Sequence, residues 1–169
     1  MALRIYEIRN EYIDYLCAYA PHLFHNKKEG QSNERKYIGI VLEINGFKYF
    51  APLSSFKEKH KTMQDSLDFI KIKTFAVINL NNMFPSPQSE IIDFDIKRVN
   101  NPKYKALLQR EYRAITIQEE KILDSAKKLY SYKIEKSNKT PLAKRCNDFL
   151  LLEQKASEYI CPTNDNLNQ

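Results

Sequence analysis

At 169 residues, with 43% hydrophobic and 28% charged side chains, the chain is long enough for one real core and reads as a single soluble domain. It has no apolar run of about 18 residues that would span a membrane, and its three glycines form neither a P-loop nor a dinucleotide fingerprint. The net charge of +6 points to an anionic partner, and three scattered cysteines exclude both a disulfide framework and a zinc site. With no charged-then-apolar leader, a reduced, cytoplasmic setting is expected.

In chain order, Leu3–Ile8 alternates apolar and polar residues, as a strand does, with Leu3, Ile5 and Glu7 sharing a face. Asn10 is placed to cap a helix carrying Tyr12, Tyr15, Leu16 and Tyr19, which Pro21 ends. Core packing accounts for most of these tyrosines, while Tyr12 falls on the first turn, near the polar strand ends, where it could be exposed. His25–Glu34 is a polar loop.

Residues 36–55 then form a long hairpin. Two apolar strands meet at Asn45-Gly46, the strongest short-range hairpin signal. An uninterrupted count outward from this turn pairs Ile44 with Phe47, Leu42 with Tyr49, and finally Lys36 with Ser55. Directly opposite residues have Cβ atoms about 4.5–5.5 Å apart, so this count makes Lys36 and Ser55 neighbours. A bulge would undo it, and Pro52 is the expected place for one, because it cannot donate to a ladder.

Lys57–Lys61 continues as a basic loop. Leu67–Leu80 and Glu90–Ile96 read as further strands, which suggests a small curled barrel. From Pro102 the period becomes helical, with Tyr104, Leu107, Leu108, Tyr112 and Ile115 in one stripe. Thr116–Glu119 reads as a capping box opening a second helix. Ser137–Lys144 breaks the pattern, and Asn147 or Asp148 caps a last helix to about Tyr159. Thr163–Gln169 is a polar tail beyond a domain spanning residues 1–162. Residues 97–155 carry 15 Lys/Arg against 7 Asp/Glu, so the helical half holds most of the positive charge.

The polar end of the hairpin concentrates Ser54, Ser55, Lys57, Lys59 and His60, with Lys36 brought near by the register. Cleaving RNA without a metal requires removing the 2′-hydroxyl proton, stabilising a phosphorane-like transition state and protonating the leaving 5′-oxygen. Lysines and histidine supply charge and proton transfer; hydroxyls donate hydrogen bonds to phosphate oxygens. An ordinary strand-to-loop turn accounts for the same residues. Asp93 and Asp95 share a strand face but no further acidic cluster joins them, and His22 and His25 have no partner spacing. A non-catalytic RNA-binding module using the same barrel and basic helices is the alternative.

The segment K-Y-I-G-I-V-L-E-I-N-G-F-K-Y-F-A-P-L-S-S-F-K-E-K-H resembles the signature of the ToxN/AbiQ family, the toxins of type III toxin–antitoxin systems, with a leaning toward the CptN-like branch. The resemblance extends over the opening strand and helix with Tyr12, over Val77–Pro85, over Pro102–Lys105, and over Cys146-Asn147 with Leu151–Lys155. It implies an α+β fold, a compact SH3-like, Kid/MazF-like antiparallel β-barrel with added helices at the N-terminus and in the C-terminal half. It implies a metal-independent endoribonuclease, needing no cofactor, that leaves a 2′,3′-cyclic phosphate and a 5′-hydroxyl. It further implies inhibition by a repeat-derived RNA pseudoknot that the toxin itself processes, mRNA substrates, and a closed ring of three toxins with three RNAs. By position, Lys36, Ser54, Ser55 and Lys57 carry over as catalytic residues, Ser54 keeping a hydroxyl where relatives have Thr. Tyr12, Lys59 and His60 carry over as RNA contacts.

Overall fold

The computed structural model describes residues 2–26 and 35–160. Most of the expected polar loop and the C-terminal tail lie outside the described residues. One antiparallel sheet forms the centre. Its strands are β1 (Arg4–Ile8), β2 (Lys36–Ile44), β3 (Phe47–Ser55), β4 (Phe69–Ile72), β5 (Ala76–Asn79), β6 (Phe84–Pro85) and β7 (Ile91–Asp93). The pairing follows the path β4-β5-β3-β2-β1-β7, with β6 added to β3. Among the described residues no ladder joins β4 to β7, so the sheet is not closed, in contrast to the expected barrel.

The alternation of apolar residues puts a core on each face. On one face Ile5, Ile38, Tyr49, Ala51, Leu53 and Ile78 pack beneath α2 (Pro102–Ile117) and α3 (Glu119–Lys136), which contribute Leu108, Ile115, Ile122, Ala126 and Leu129. On the other, Ile8, Tyr37, Phe50 and Phe84 pack against Tyr12, Ile13 and Leu16 of α1 (Asn10–Cys17). Two further helices, α4 (Pro141–Arg145) and α5 (Phe149–Glu158), complete the C-terminal half. Helix α4 falls inside the stretch expected to be irregular, started by Pro141 and by the Thr140 side chain, which accepts from Ala143 N.

The caps meet the sequence expectation in one place and miss it in another. Asp148 caps α5, accepting from Leu151 N at 3.2 Å. The expected capping box at Thr116 is absent: α2 runs on to Ile117, and the Thr116 hydroxyl donates back to Tyr112 O at 2.9 Å. Leu67–Leu80 divides into two strands at Lys73, which adopts a φ of +50°. Glu90–Ile96 supplies only the three residues of β7 before a 3-10 turn at Ile96–Arg98.

The hairpin turns as expected. Asn45 and Gly46 both take positive φ, 53° and 79°, the condition for a two-residue turn whose twist matches its strands. Ile44 faces Phe47 and Leu42 faces Tyr49, but Gly39 then faces Phe50. Ile40 and Val41 are left without residues opposite. This bulge shifts the remaining register by two, so Lys36 faces Leu53 and not Ser55. The irregularity lies on β2 and not at Pro52. Beyond Phe50, β3 changes partner on its far side, from β6 at Tyr49–Phe50 to β5 at Leu53–Ser55. Pro52 falls in the gap between those ladders, where a residue without an N–H is accommodated.

Candidate active site

The site is built at the end of the sheet where β2 begins and β3 ends. Lys36 opens β2 and Ser55 closes β3, beside Ala76 of β5. Because the bulge removes two residues and not one, Lys36 and Ser55 stay on the same face of the sheet. They are diagonal neighbours, a relation that places Cβ atoms about 7–8 Å apart. Ser54, one residue earlier, points to the opposite face. There its hydroxyl accepts from Asn79 Nδ2 at 3.3 Å. The strand therefore puts Lys36 and Ser55 on one face and turns Ser54 to the other, while the Lys36 ammonium itself reaches toward Glu7 of β1.

Beyond Ser55 the basic loop is pinned by a histidine. The 3-10 turn Glu58–Lys61 folds His60 back so that its Nδ1 accepts from Lys57 N at 2.8 Å, while His60 N donates to Lys57 O at 2.9 Å. The imidazole lies between the Phe56 and Phe69 rings, with centroids 5.6 and 5.5 Å away. Burial, then the neighbouring Lys59, Lys57 and Lys71, hold its pKa below the ordinary histidine value. A neutral ring with Nδ1 as acceptor carries its proton on Nε2. Lys57 and Lys59 remain exposed on this pinned loop. His60, expected as an RNA contact, is buried, and its ring fills the pocket under the loop.

Tyr12 is also displaced from its expected setting. It is fully buried, and its hydroxyl donates to Pro85 O at 2.5 Å. Helix α1 needs an apolar face to lie on the sheet, and Tyr12, Ile13 and Leu16 are that face.

A cleft of about 700 Å³ opens beside Lys36, walled by Glu7, Asp93, Phe94, Arg98, Asn101 and Tyr104 among others. Sequence reasoning did not assign these residues to the site. One signal was present: Glu7 shares a strand face with Leu3 and Ile5, where a carboxylate needs a partner. That partner is Lys36, with Nζ 2.9 Å from Glu7 Oε1. Asn101 and Tyr104 reach the cleft because Asn101 caps α2, accepting from Tyr104 N at 3.1 Å. Among the described residues no group of three or more His, Cys, Asp or Glu side chains converges as a metal-ligand set. No described helix is long and apolar enough to cross a membrane.

These features define an α+β protein whose sheet ends in lysines and hydroxyls beside an open cleft, a surface suited to phosphate groups. The model of the family described as "Toxin ToxN, type III toxin-antitoxin system" matches residues 4–157, and the chain belongs to that family. It is 32% identical over 164 residues to the endoribonuclease ToxN of Bacillus thuringiensis subsp. kurstaki, covering 92% of this chain and 84% of that protein. Its fold matches a solved type III toxin–antitoxin structure, described by selective toxin inhibition by a non-coding RNA pseudoknot. The TM-score is 0.78, with 28% identity over 94% of this chain and 98% of that one. AbiQ, a lactococcal anti-phage endoribonuclease of the type III toxin–antitoxin system, matches with a TM-score of 0.77 and 29% identity, over 94% of this chain and 98% of that one.

Proposed function

We propose that this chain is the endoribonuclease toxin of a type III toxin–antitoxin system, held in check by a structured antitoxin RNA. The observation that carries the reading is the family match over residues 4–157, which takes in the whole strand-end cluster. The reaction is the one the family resemblance implies, with the 2′-hydroxyl giving up its proton and the leaving 5′-oxygen taking one up. The 2′-oxygen of a ribose attacks the adjacent phosphorus, a new P–O2′ bond forms and the P–O5′ bond breaks. The ends are a 2′,3′-cyclic phosphate and a 5′-hydroxyl, and no metal is required. Negative charge accumulates on the non-bridging oxygens in the transition state, and donors aimed there accelerate the step.

Lys36, Ser55 and Lys57 fill that role in this reading. Lys36 and Ser55 share a face of the sheet, and Lys57 is held by its backbone on the loop that follows. Ser54, turned to the far face and held by Asn79, lies away from this group and takes no part in the step in this reading. Lys59 meets the backbone from the exposed side of the loop. The burial of His60 and its bond to Lys57 N favour an anchoring role for it, and the burial of Tyr12 favours a packing role.

The partner is a repeat-derived RNA pseudoknot, which the toxin cuts from its precursor and which then occupies the same groove. Three toxins and three RNAs close a ring, and cytoplasmic mRNA is the substrate once the antitoxin is lost. The sheet is a variant of the SH3-like, Kid/MazF-like design, opened at one edge.

The test is direct. Wild-type protein incubated with its tandem-repeat precursor RNA releases unit-length repeats, and the Ser55→Ala and Lys57→Ala proteins leave it intact while still binding it. Precursor recovered whole from the wild-type protein favours the non-catalytic RNA-binding module instead.

A further inference from the structure

The Lys36 ammonium is bracketed from two sides. The β1–β2 register that pairs Tyr6 with Tyr37 continues to set Glu7 against Lys36. Their charged atoms are 2.9 Å apart, and the side chains are only 21% and 8% exposed. The Phe94 ring lies under the same ammonium, 4.6 Å from its centroid. All three groups face the cleft of about 700 Å³ that Asp93, Asp95, Arg98, Asn101 and Tyr104 also line. A lysine at this depth needs a counterion in the absence of substrate, because an uncompensated buried charge is strongly destabilising. Glu7 supplies it from the neighbouring strand, on a backbone that the sheet holds rigid.

We propose that Glu7 is a positioning residue and built-in counterion for Lys36: it fixes the ammonium at the cleft and neutralises it until an RNA phosphate arrives. The inference rests on the reading of Lys36 as a phosphate-binding residue of a ribonuclease. An ammonium has three N–H donors. Glu7 takes one of them and fixes its direction, so the cation meets its substrate already oriented. Such preorganisation serves the transition state more than the ground state.

This arrangement has a signature in salt dependence. A phosphate that meets a free lysine releases a condensed counterion, and single-stranded nucleic acid loses affinity with a log–log slope of about −0.7 per contact. A lysine already neutralised by Glu7 contributes little to that slope. Replacing Glu7 by the isosteric, uncharged Gln uncovers the cation.

The experiment measures binding of a fluorescent 2′-O-methyl oligoadenylate, whose 2′-oxygen cannot attack, by anisotropy across a salt series. The Glu7→Gln protein is expected to bind more tightly at low salt, with a slope steeper than wild type by about 0.7. In the Glu7→Gln/Lys36→Ala double variant the slope returns to the wild-type value. Glu7→Ala, which removes the acceptor as well as the charge, is expected to lower kcat on cleavable RNA by about tenfold, more than it changes KM. An unchanged slope in Glu7→Gln, or a steepening that survives in the double variant, overturns the proposal. Wild-type kcat in Lys36→Ala overturns instead the catalytic reading of Lys36. The two failures are distinct, because the slope is read on RNA that cannot be cut.

Discussion

Ser55 lies one diagonal step from Lys36 across the β2–β3 ladder, on the same face of the sheet, because β2 carries two residues that β3 does not face. A bulge of one residue would have sent Lys36 to the opposite face. The geometry of the site therefore depends on a feature at residues 40–41, well inside the hairpin.

That bulge is held by a close approach of backbone and ring. A Cβ built on Gly39 would sit 2.4 Å from Cδ1 of Phe50 and 3.3 Å from Cδ2 of Tyr6. Phe50 is fully buried and meets Tyr6 edge-on, so neither ring yields easily. Gly39→Ala is expected to destabilise the fold by about 1–3 kcal/mol through overpacking. Urea unfolding followed by circular dichroism measures it. A loss below a few tenths of a kcal/mol would mean that the ring moves freely and the bulge is not pinned there.

Tyr12 gives a second stability test. Its hydroxyl is buried against the Pro85 carbonyl. Tyr12→Phe leaves that carbonyl without this donor, at a cost of about 1–2 kcal/mol. The same denaturation measurement reads it, and an unchanged midpoint would show that the hydroxyl finds no partner in the folded state.

His60 links pH to the basic loop. Its folded pKa is lowered, so below the ordinary value of 6.5 the unfolded chain takes up a proton before the folded one does. Its stabilising contribution is complete above that pH and is lost as the pH falls through the folded pKa. Protonation also removes the Nδ1 acceptor that holds Lys57 N. His60→Ala should lose this acid-side dependence of thermal stability and cleave more slowly. His60→Asn, which restores an acceptor, should recover part of the rate.

Glu111 acts with the opposite sign. Burial alone pushes its carboxyl from 4.5 up to about 7. Between those values the folded chain holds a proton that the unfolded chain has released, so stability falls as pH rises through that window. The change is on the order of 3 kcal/mol. Subtracting the Glu111→Gln stability curve from the wild-type curve isolates it from His60. A flat difference would place Glu111 in contact with water.

Much of this architecture can be read from the residues. Asn45-Gly46 dictates its turn, Asp148 its cap, and the alternation in β1 and β3 assigns side chains to a face, whereas in β2 it fails at the bulge, where Val41 packs with Ile38 and Ile40 with the opposite core. The polar cluster after Pro52 is visible for the same reason. Periodicity reports a face but not what covers it, so the burial of Tyr12 between α1 and the sheet, on the first turn near the polar strand ends, and of His60 between Phe56 and Phe69 was not visible. The bulge was hidden behind Pro52, the more conspicuous residue, although an isolated glycine in a strand, Gly39, is itself a signal for close backbone approach. Glu7 stood among apolar residues on an inward face, and only the β1–β2 register reveals that its partner is Lys36.

The measurement that bears most directly on the central claim is cleavage of a single-stranded, adenine-rich RNA by the purified protein in excess EDTA, with the product ends identified by mass spectrometry. The account predicts cleavage with 2′,3′-cyclic phosphate and 5′-hydroxyl ends, and a rate about 100-fold lower in Ser55→Ala, as for loss of one transition-state donor. RNA left intact in EDTA but cut when magnesium is restored, or cut equally well by Ser55→Ala, would contradict it.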